Sequence, residues 1–410
     1  MTTYEPASSL GWLDLDTAAS ERVATMLRAL EEPSTLDALG LGGVRDAFAA
    51  LLSPGTSTIQ TRLRYFIFLP WIFTGLESDG VTPSGFSSRL RADEVRLIDC
   101  LRHLGPNNGV IGFTAGAKLQ RFPSVTYWGG LGSWRLRQLD LPLSEYGKRI
   151  TGFGRQRADR DDDGNTTSRH VSMWASMPEP PSDFLTSDLT FELSSDEAKL
   201  IVDQIRRSHP DSLLALLCSH PHLAEGTRYP WDLPSSILPP GLTEALRHAR
   251  CFSELTIGPQ HAYNVLLARK AHEELRWDTS ELESTERQHA DDWVGLIGER
   301  FDELYEWVNQ LPDFWAFLAS MGEVISPVTQ EFIDFIVTRA VTDPAGFVDD
   351  PVVQQRIRER EVRLKAGRAR LTYRSPLENW KQAPFGAPLN YRWPITKGYL
   401  ADIAAGMEPT

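Results

Sequence analysis

The chain has 410 residues, 41% of them apolar and 24% charged, which is typical of a soluble globular protein long enough for more than one domain. Its 12 Trp, 18 Phe and 10 Tyr exclude a wholly disordered chain, because aromatic side chains supply apolar surface to bury. Three cysteines without Cys-x-x-Cys spacing exclude a disulfide scaffold, and a net charge of −13 excludes a uniformly basic coat for nucleic acid.

The first 150 residues have the hydrophobic period of α-helices. Helices are predicted at 16–30, 43–52 and 89–104, and after Ser124. Ser57 and Thr58 are predicted to cap a further helix, with Phe66 and Trp71 on its apolar stripe. The apolar window 65–73 is too short to cross a bilayer and is predicted to be a buried helix. The N-terminus lacks a basic region followed by an apolar stretch, so we expect a cytoplasmic protein with no membrane partner.

Residues 151–190 differ from their surroundings, because they are rich in Gly, Asp, Ser and Pro. They are predicted to form a loop or small hairpin whose strand-like run is 170–175. Helical periodicity returns afterwards, and the chain closes with an aromatic, Pro-rich segment and a short helix predicted near 395–405. The sequence therefore predicts a mainly α protein of two packed helical halves. The predicted domains are residues 1–150, an insertion at 151–190, and residues 191–410 with a basic segment at 356–374.

Catalytic signatures are missing from the chain. It has no GxxxxGK[ST] loop, no G-x-S-x-G elbow, no HExxH and no complete G-x-G-x-x-G. A helicase, kinase or Rossmann enzyme is thereby disfavoured, and the sequence assigns no catalytic residue, no metal and no cofactor.

Two local patterns resemble catalytic or metal sites. Cys218, His220 and His222, with His248 and Cys251 downstream, are zinc-ligand types without the spacing of a standard zinc module. Cys218 ends an apolar helix, which favours a buried thiol.

Glu197-Ala198-Lys199 has the Glu-x-Lys order of some nucleases. Ser194 and Ser195 precede it, so a helix start is favoured, with the acids near the positive end of the helix dipole. A separate polar pattern, His261 to Asn264, lies among apolar residues and is predicted to be a buried, hydrogen-bonded polar pair.

The strongest charged feature is the basic segment 356–374, which has seven Arg and one Lys against two Glu. On a helix, three of its arginines share one face beside an apolar stripe of Val353, Ile357 and Leu364. Guanidinium groups pair with phosphate oxygens, so the segment is predicted to bind DNA or RNA. The predicted contacts are Arg356, Arg360, Arg363, Lys365, Arg368, Arg370 and Arg374. The alternative is that these side chains pair with the acidic stretch 273–306 of the same chain.

A second region, residues 100–139, contains no acid. Lys118 and Arg121 are predicted to contact phosphates there. The Ser124-capped helix that follows carries Tyr127 and Trp128, and two interpretations stay open: a helix-turn-helix-like reader, or core packing, which aromatic residues at helical spacing favour.

Motifs along nearly the whole chain carry a family resemblance. They are Gly11-Trp12-Leu13, Gly43 to Phe48, Pro54 to Ser57, Arg62 to Tyr65, Pro70-Trp71, Val110-Ile111-Gly112, Pro123-Ser124, Tyr127-Trp128, Tyr263-Asn264, Arg363 to Leu371 and Tyr391 to Pro394. In these the chain resembles an uncharacterised bacterial family of similar length, a domain of unknown function. The family's genes tend to lie beside helicase and phospholipase-D-type nuclease genes in anti-phage islands. The resemblance thus implies a subunit of a defence assembly with helicase or nuclease partners, and it implies no catalytic residue.

The predicted function is therefore a non-catalytic subunit of an anti-phage assembly that binds nucleic acid and docks partner proteins. One alternative is a pure protein adaptor or scaffold with no nucleic-acid contact. Another is a nuclease of unfamiliar layout.

Overall fold

The computed structural model describes residues 38–153, 156–160, 166–170, 173–382 and 386–408, so the helix predicted at 16–30 lies outside the described residues. The N-terminal elements are α1 (Gly42–Leu52), α2 (Tyr65–Ser78), α3 (Pro83–Leu101), α4 (Pro123–Ser133), α5 (Leu143–Arg149), β1 (Gln156–Arg160) and β2 (Thr166–His170). Next come α6 (Ser195–Ser208), α7 (Leu213–Leu217), α8 (Pro240–Leu255), α9 (Ile257–Leu275), α10 (Ser280–Glu299) and α11 (Phe301–Asn309). The last are α12 (Leu311–Ser320), α13 (Pro327–Thr342), α14 (Pro351–Lys365), α15 (Arg374–Glu378) and α16 (Trp393–Met407). The prediction of a mainly α protein is confirmed.

The hairpin in the 151–190 stretch is antiparallel, with β1 and β2 in register from Gln156 opposite His170 to Arg160 opposite Thr166. Strand β2 ends at His170, the first residue of the run predicted at 170–175, so the strand lies earlier in the chain than predicted. From that run, Trp174 forms an isolated bridge with Arg137 and is buried. Residues 161–165, which include three Asp, and residues 171–172 lie outside the described part of the chain.

Helix α2 is enclosed by neighbouring elements. Residues 65–73 are buried on every side, as the all-apolar window predicts for a helix enclosed by others. Helices α3 and α4 pack against it, and the Phe66 ring stacks on Trp134 with centroids 4.0 Å apart. Within the described residues, no helix has the combination of length and apolarity needed to cross a bilayer.

The segment before α2 corrects the prediction of a helix capped by Ser57 and Thr58, because the helix begins only at Tyr65. Side chains from distant helices satisfy the backbone here. The amides of Thr61 and Arg62 donate to the Tyr127 hydroxyl at 2.9 and 3.2 Å, and that of Leu63 donates to Asp402 at 3.0 Å. With its N–H groups bonded in this way, the segment does not need helical hydrogen bonds.

The C-terminal helix α16 contacts the segment that precedes α2. Asp402 accepts two hydrogen bonds from the Arg62 guanidinium, and Thr396 donates to Ser53 at 2.7 Å. Nearly all buried apolar residues that the structure describes form one cluster, which runs from residue 38 to residue 403. The domain boundaries at 150 and 190 stay a prediction.

Candidate functional site

The basic segment does not present all of its charge to solvent. Arg360 is only 5% exposed, donates to the Leu39 carbonyl at 3.1 Å and to Thr329 at 2.9 Å, and lies over the Phe332 ring. Residue 360 follows Ile357 on the inward side of α14. We therefore remove Arg360 from the predicted phosphate contacts, because its guanidinium is enclosed by its own fold.

The other predicted phosphate contacts of the basic segment fall into three groups. Arg356 pairs with Glu331 at 3.5 Å and Arg374 with Glu378 at 3.0 Å, so neither of these pairs involves the acidic stretch 273–306. Arg363 and Arg368 are exposed and form no ion pair with any residue that the structure describes. Lys365 and Arg370 are half-buried. The outward charge of this segment is therefore carried mainly by Arg363 and Arg368.

A concave site lies in the N-terminal part of the chain, where the 55–60 loop, α3, α4 and α5 enclose a cleft of about 1420 Å³. We call it the α4 cleft. Its lining is rich in small residues, including Gly55, Ser124, Gly129, Gly130 and Ser133. A Cβ built on Gly129 meets nothing within 4 Å, so open space lies above this side of α4.

Four cationic side chains line the α4 cleft: Arg91, Arg121, Lys148 and Arg392. Arg392 donates to the Thr56 carbonyl at 2.7 Å, and burial lowers its pKa. Arg121 is exposed and forms no ion pair with the described residues. The cleft therefore has a positive lining in a protein whose total charge is negative.

Both predicted phosphate contacts of the N-terminal half lie at or beside this cleft. Arg121 lines it directly. Arg91 donates to the Ala117 carbonyl at 2.6 Å, which places the exposed Lys118 next to a lining residue. The sequence did not single out Arg91, Lys148 or Arg392, because only the fold brings them together.

One acid, Glu94 of α3, stands in the lining of the α4 cleft. Its carboxylate accepts from the Ser124 amide at 2.6 Å and from the Ser124 hydroxyl at 3.0 Å. Burial is the largest effect and raises its pKa to about 7, while the Ser124 hydrogen bonds lower the pKa by less. A carboxyl that is partly neutral near pH 7 repels a bound anion only weakly.

Glu94 makes the stability of the protein depend on pH. The folded protein holds this proton up to about pH 7, whereas the unfolded chain releases it near 4.5, so stability falls as pH rises between these values. We expect Glu94→Gln to remove roughly 2–3 kcal/mol of that fall between pH 5 and pH 8. Urea unfolding at both pH values measures it. The exposed Glu192→Gln should behave like the parent, and an unchanged pH dependence in Glu94→Gln would contradict the assignment.

The aromatic residues of α4 support one of the two interpretations left open. Tyr127 and Trp128 are buried, and the Trp128 indole donates to the Leu141 carbonyl at 2.9 Å. Val125 is 53% exposed. The aromatic residues therefore pack in the core, and α4 offers small side chains to solvent instead of base-reading groups.

The zinc-like residues around Cys218 do not form a shared site in the described structure. Burial raises the pKa of Cys218 to about 12, which disfavours a thiolate ligand. His222 is exposed beside Glu225, and His248 instead accepts from the Trp307 indole at 2.8 Å.

Glu197 has the structural role that its sequence context predicts. It forms a capping box with Ser194 at the start of α6 and pairs with Arg64 at 3.0 Å. Ser194 and Arg64 thus hold the Glu197 carboxylate at the start of α6, as a helix-capping group.

Comparison with known proteins identifies the family of this chain. It belongs to a family of unknown function (DUF6361), whose profile matches residues 7–406. No curated protein and no solved structure matches it. The expectation of a full-length, uncharacterised family is thus confirmed, while its link to defence islands stays a prediction.

Proposed function

We propose that the protein binds single-stranded nucleic acid in the α4 cleft without cleaving it. The observation that carries this proposal is a concave site with four cationic side chains and a single acid whose pKa is near neutrality. Phosphodiester strands bind in such grooves because Lys and Arg track the backbone charge.

The shape of the cleft favours a strand over a duplex. A duplex is read by an element that protrudes into a groove, whereas this site is a recess lined with small residues. Trp128 is 8% exposed and offers little surface for base stacking. Binding is therefore expected to depend mainly on phosphate contacts and to weaken with salt.

Arg363 and Arg368 of the basic segment supply a second proposed contact. They are exposed and unpaired among the described residues, which is what phosphate binding requires of them. Lys365 and Arg370, being half-buried beside them, take a lesser part in this proposal.

We further propose that the chain serves as a non-catalytic subunit of an anti-phage assembly, with a helicase or nuclease partner. The support is the family resemblance and an exposed aromatic pair on α11. Phe301 and Tyr305 are 44% and 48% exposed and stack with centroids 5.6 Å apart. Exposed aromatic pairs are typical of protein interfaces.

The test is fluorescence anisotropy of a labelled single strand, as DNA and as RNA, with the duplex in parallel. We expect log affinity to fall with log salt at a slope of about −2 to −3, as three or four phosphate contacts give. Arg121→Glu combined with Lys148→Glu should weaken binding about tenfold or more and flatten that slope. Arg149→Glu, beside Lys148 but outside the lining, is the matched control and should bind as the parent does.

A second pair of variants separates the cleft from general charge. Gly129→Leu places a bulky side chain in the cleft, whereas Gly75→Leu adds the same side chain to α2, where a Cβ also meets nothing within 4 Å. We expect only Gly129→Leu to reduce binding. The Arg363→Glu, Arg368→Glu double variant tests the basic segment. If it abolishes binding while Gly129→Leu and the double variant at Arg121 and Lys148 still bind, the strand lies on the basic segment and the cleft assignment is wrong. If the parent binds no strand, the adaptor alternative is favoured; metal-dependent cleavage would favour the nuclease.

A further inference from the structure

Three metal-ligating side chains from two helices come together outside the α4 cleft. They are His261 of α9 and Glu286 and His289 of α10, and one ligand atom from each lies within 4.8 Å of the others. His261 Nδ1 is 2.7 Å from Glu286 Oε2, and the two imidazole centroids are 5.7 Å apart. Glu286 and His289 are three residues apart, so both project from the same face of α10.

We propose that these side chains bind one divalent transition-metal ion, with Zn²⁺ as the best-fitting ion. Two His and one Glu are the protein ligands of many open zinc sites, in which solvent or a substrate occupies the fourth position. Imidazole ligands disfavour Mg²⁺ and Ca²⁺, which prefer oxygen. Ligand atoms of tetrahedral zinc lie about 3.3 Å from each other, given metal–ligand distances of about 2.0–2.1 Å, so small side-chain shifts complete the site.

The burial of the first two ligands supports a bound cation. The side chains of His261 and Glu286 are 2% and 0% exposed. A divalent ion held by these three side chains would balance the charge of a buried carboxylate.

The backbone at Gly386 packs directly against the His261 ring. A Cβ on Gly386 would lie 2.1 Å from His261 Cε1, and its φ of +141° also requires glycine. The chain therefore closes over one side of the His261 ring and holds its orientation. His289 is exposed, so solvent reaches the cluster at this side chain.

The test uses the full chain after treatment with a chelator. Titration with Co²⁺ should give a 1:1 complex with visible d–d absorption, and Zn²⁺ should displace it and raise the melting temperature. His289→Ala should weaken binding at least tenfold, while the melting temperature of its metal-free form stays that of the parent, because His289 is exposed. His222→Ala is the matched control, since His222 is another exposed histidine with a glutamate 2.9 Å away, and it should bind as the parent does.

A buried variant adds a second readout. Glu286→Gln keeps the size of the side chain and a hydrogen bond to His261 but removes the charge, so it should fold and lose the metal. The proposal is wrong if the parent gives no 1:1 cobalt complex, or if both His289→Ala and Glu286→Gln bind Co²⁺ as tightly as the parent. These measurements do not involve nucleic acid, so they are independent of strand binding in the α4 cleft.

Discussion

Arg360→Glu should destabilise the protein by about 4–5 kcal/mol, because it places a carboxylate where a buried guanidinium bonds to Leu39 and Thr329. The new acid would face the Leu39 carbonyl with no donor, and would lose the contact with the Phe332 ring. Urea or thermal unfolding measures the loss.

Two controls separate this effect from charge in general. Arg363→Glu reverses the same charge three residues later on the exposed side of α14 and should cost under about 0.5 kcal/mol. Arg360→Met keeps the apolar stem and should cost less than Arg360→Glu. Equal stability of Arg360→Glu and Arg363→Glu would show that Arg360 reaches solvent, and would return it to the proposed phosphate contacts.

Glu361→Ala should cost about 4 kcal/mol, since this fully buried acid organises the end of the basic segment. It accepts from the Tyr263 hydroxyl at 2.5 Å and from the amides of Arg370 and Leu371 at 3.0 and 2.8 Å. Burial and the neighbouring acid raise the pKa of Tyr263, so its hydroxyl remains a donor. Removing the carboxylate leaves all three donors unpaired in the interior.

The design of this measurement is a double-mutant cycle in chemical unfolding. Tyr263→Phe alone should cost about 1–2 kcal/mol, and the double variant less than the sum, because both changes remove one shared hydrogen bond. Glu359→Ala, on the exposed side of the same helix, should stay within about 0.5 kcal/mol of the parent. Strict additivity, or a loss of similar size in Glu359→Ala, would contradict the proposed role of Glu361.

These two neighbours change the interpretation of the basic segment. The guanidinium of Arg360 packs against Leu39 and Gly40 in the interior. The buried carboxylate of Glu361 holds the turn that follows α14. Charge reversal across the whole segment would therefore unfold the protein. Variants at Arg363 and Arg368 test nucleic-acid binding without that complication.

Periodicity in the sequence determined the helical class, the buried helix at 65–73 and the cap at Ser194, because these depend on neighbours three or four residues away. Only the tertiary structure decided that Arg360 lies inside, that the 53–64 segment is not helical, and that Arg91, Lys148 and Arg392 share one cleft. It also brought His261 to Glu286 and His289 across two helices. The physical reason is that burial and charge pairing depend on groups that are distant in the chain, and a local pattern of residues holds no information about which distant groups they meet.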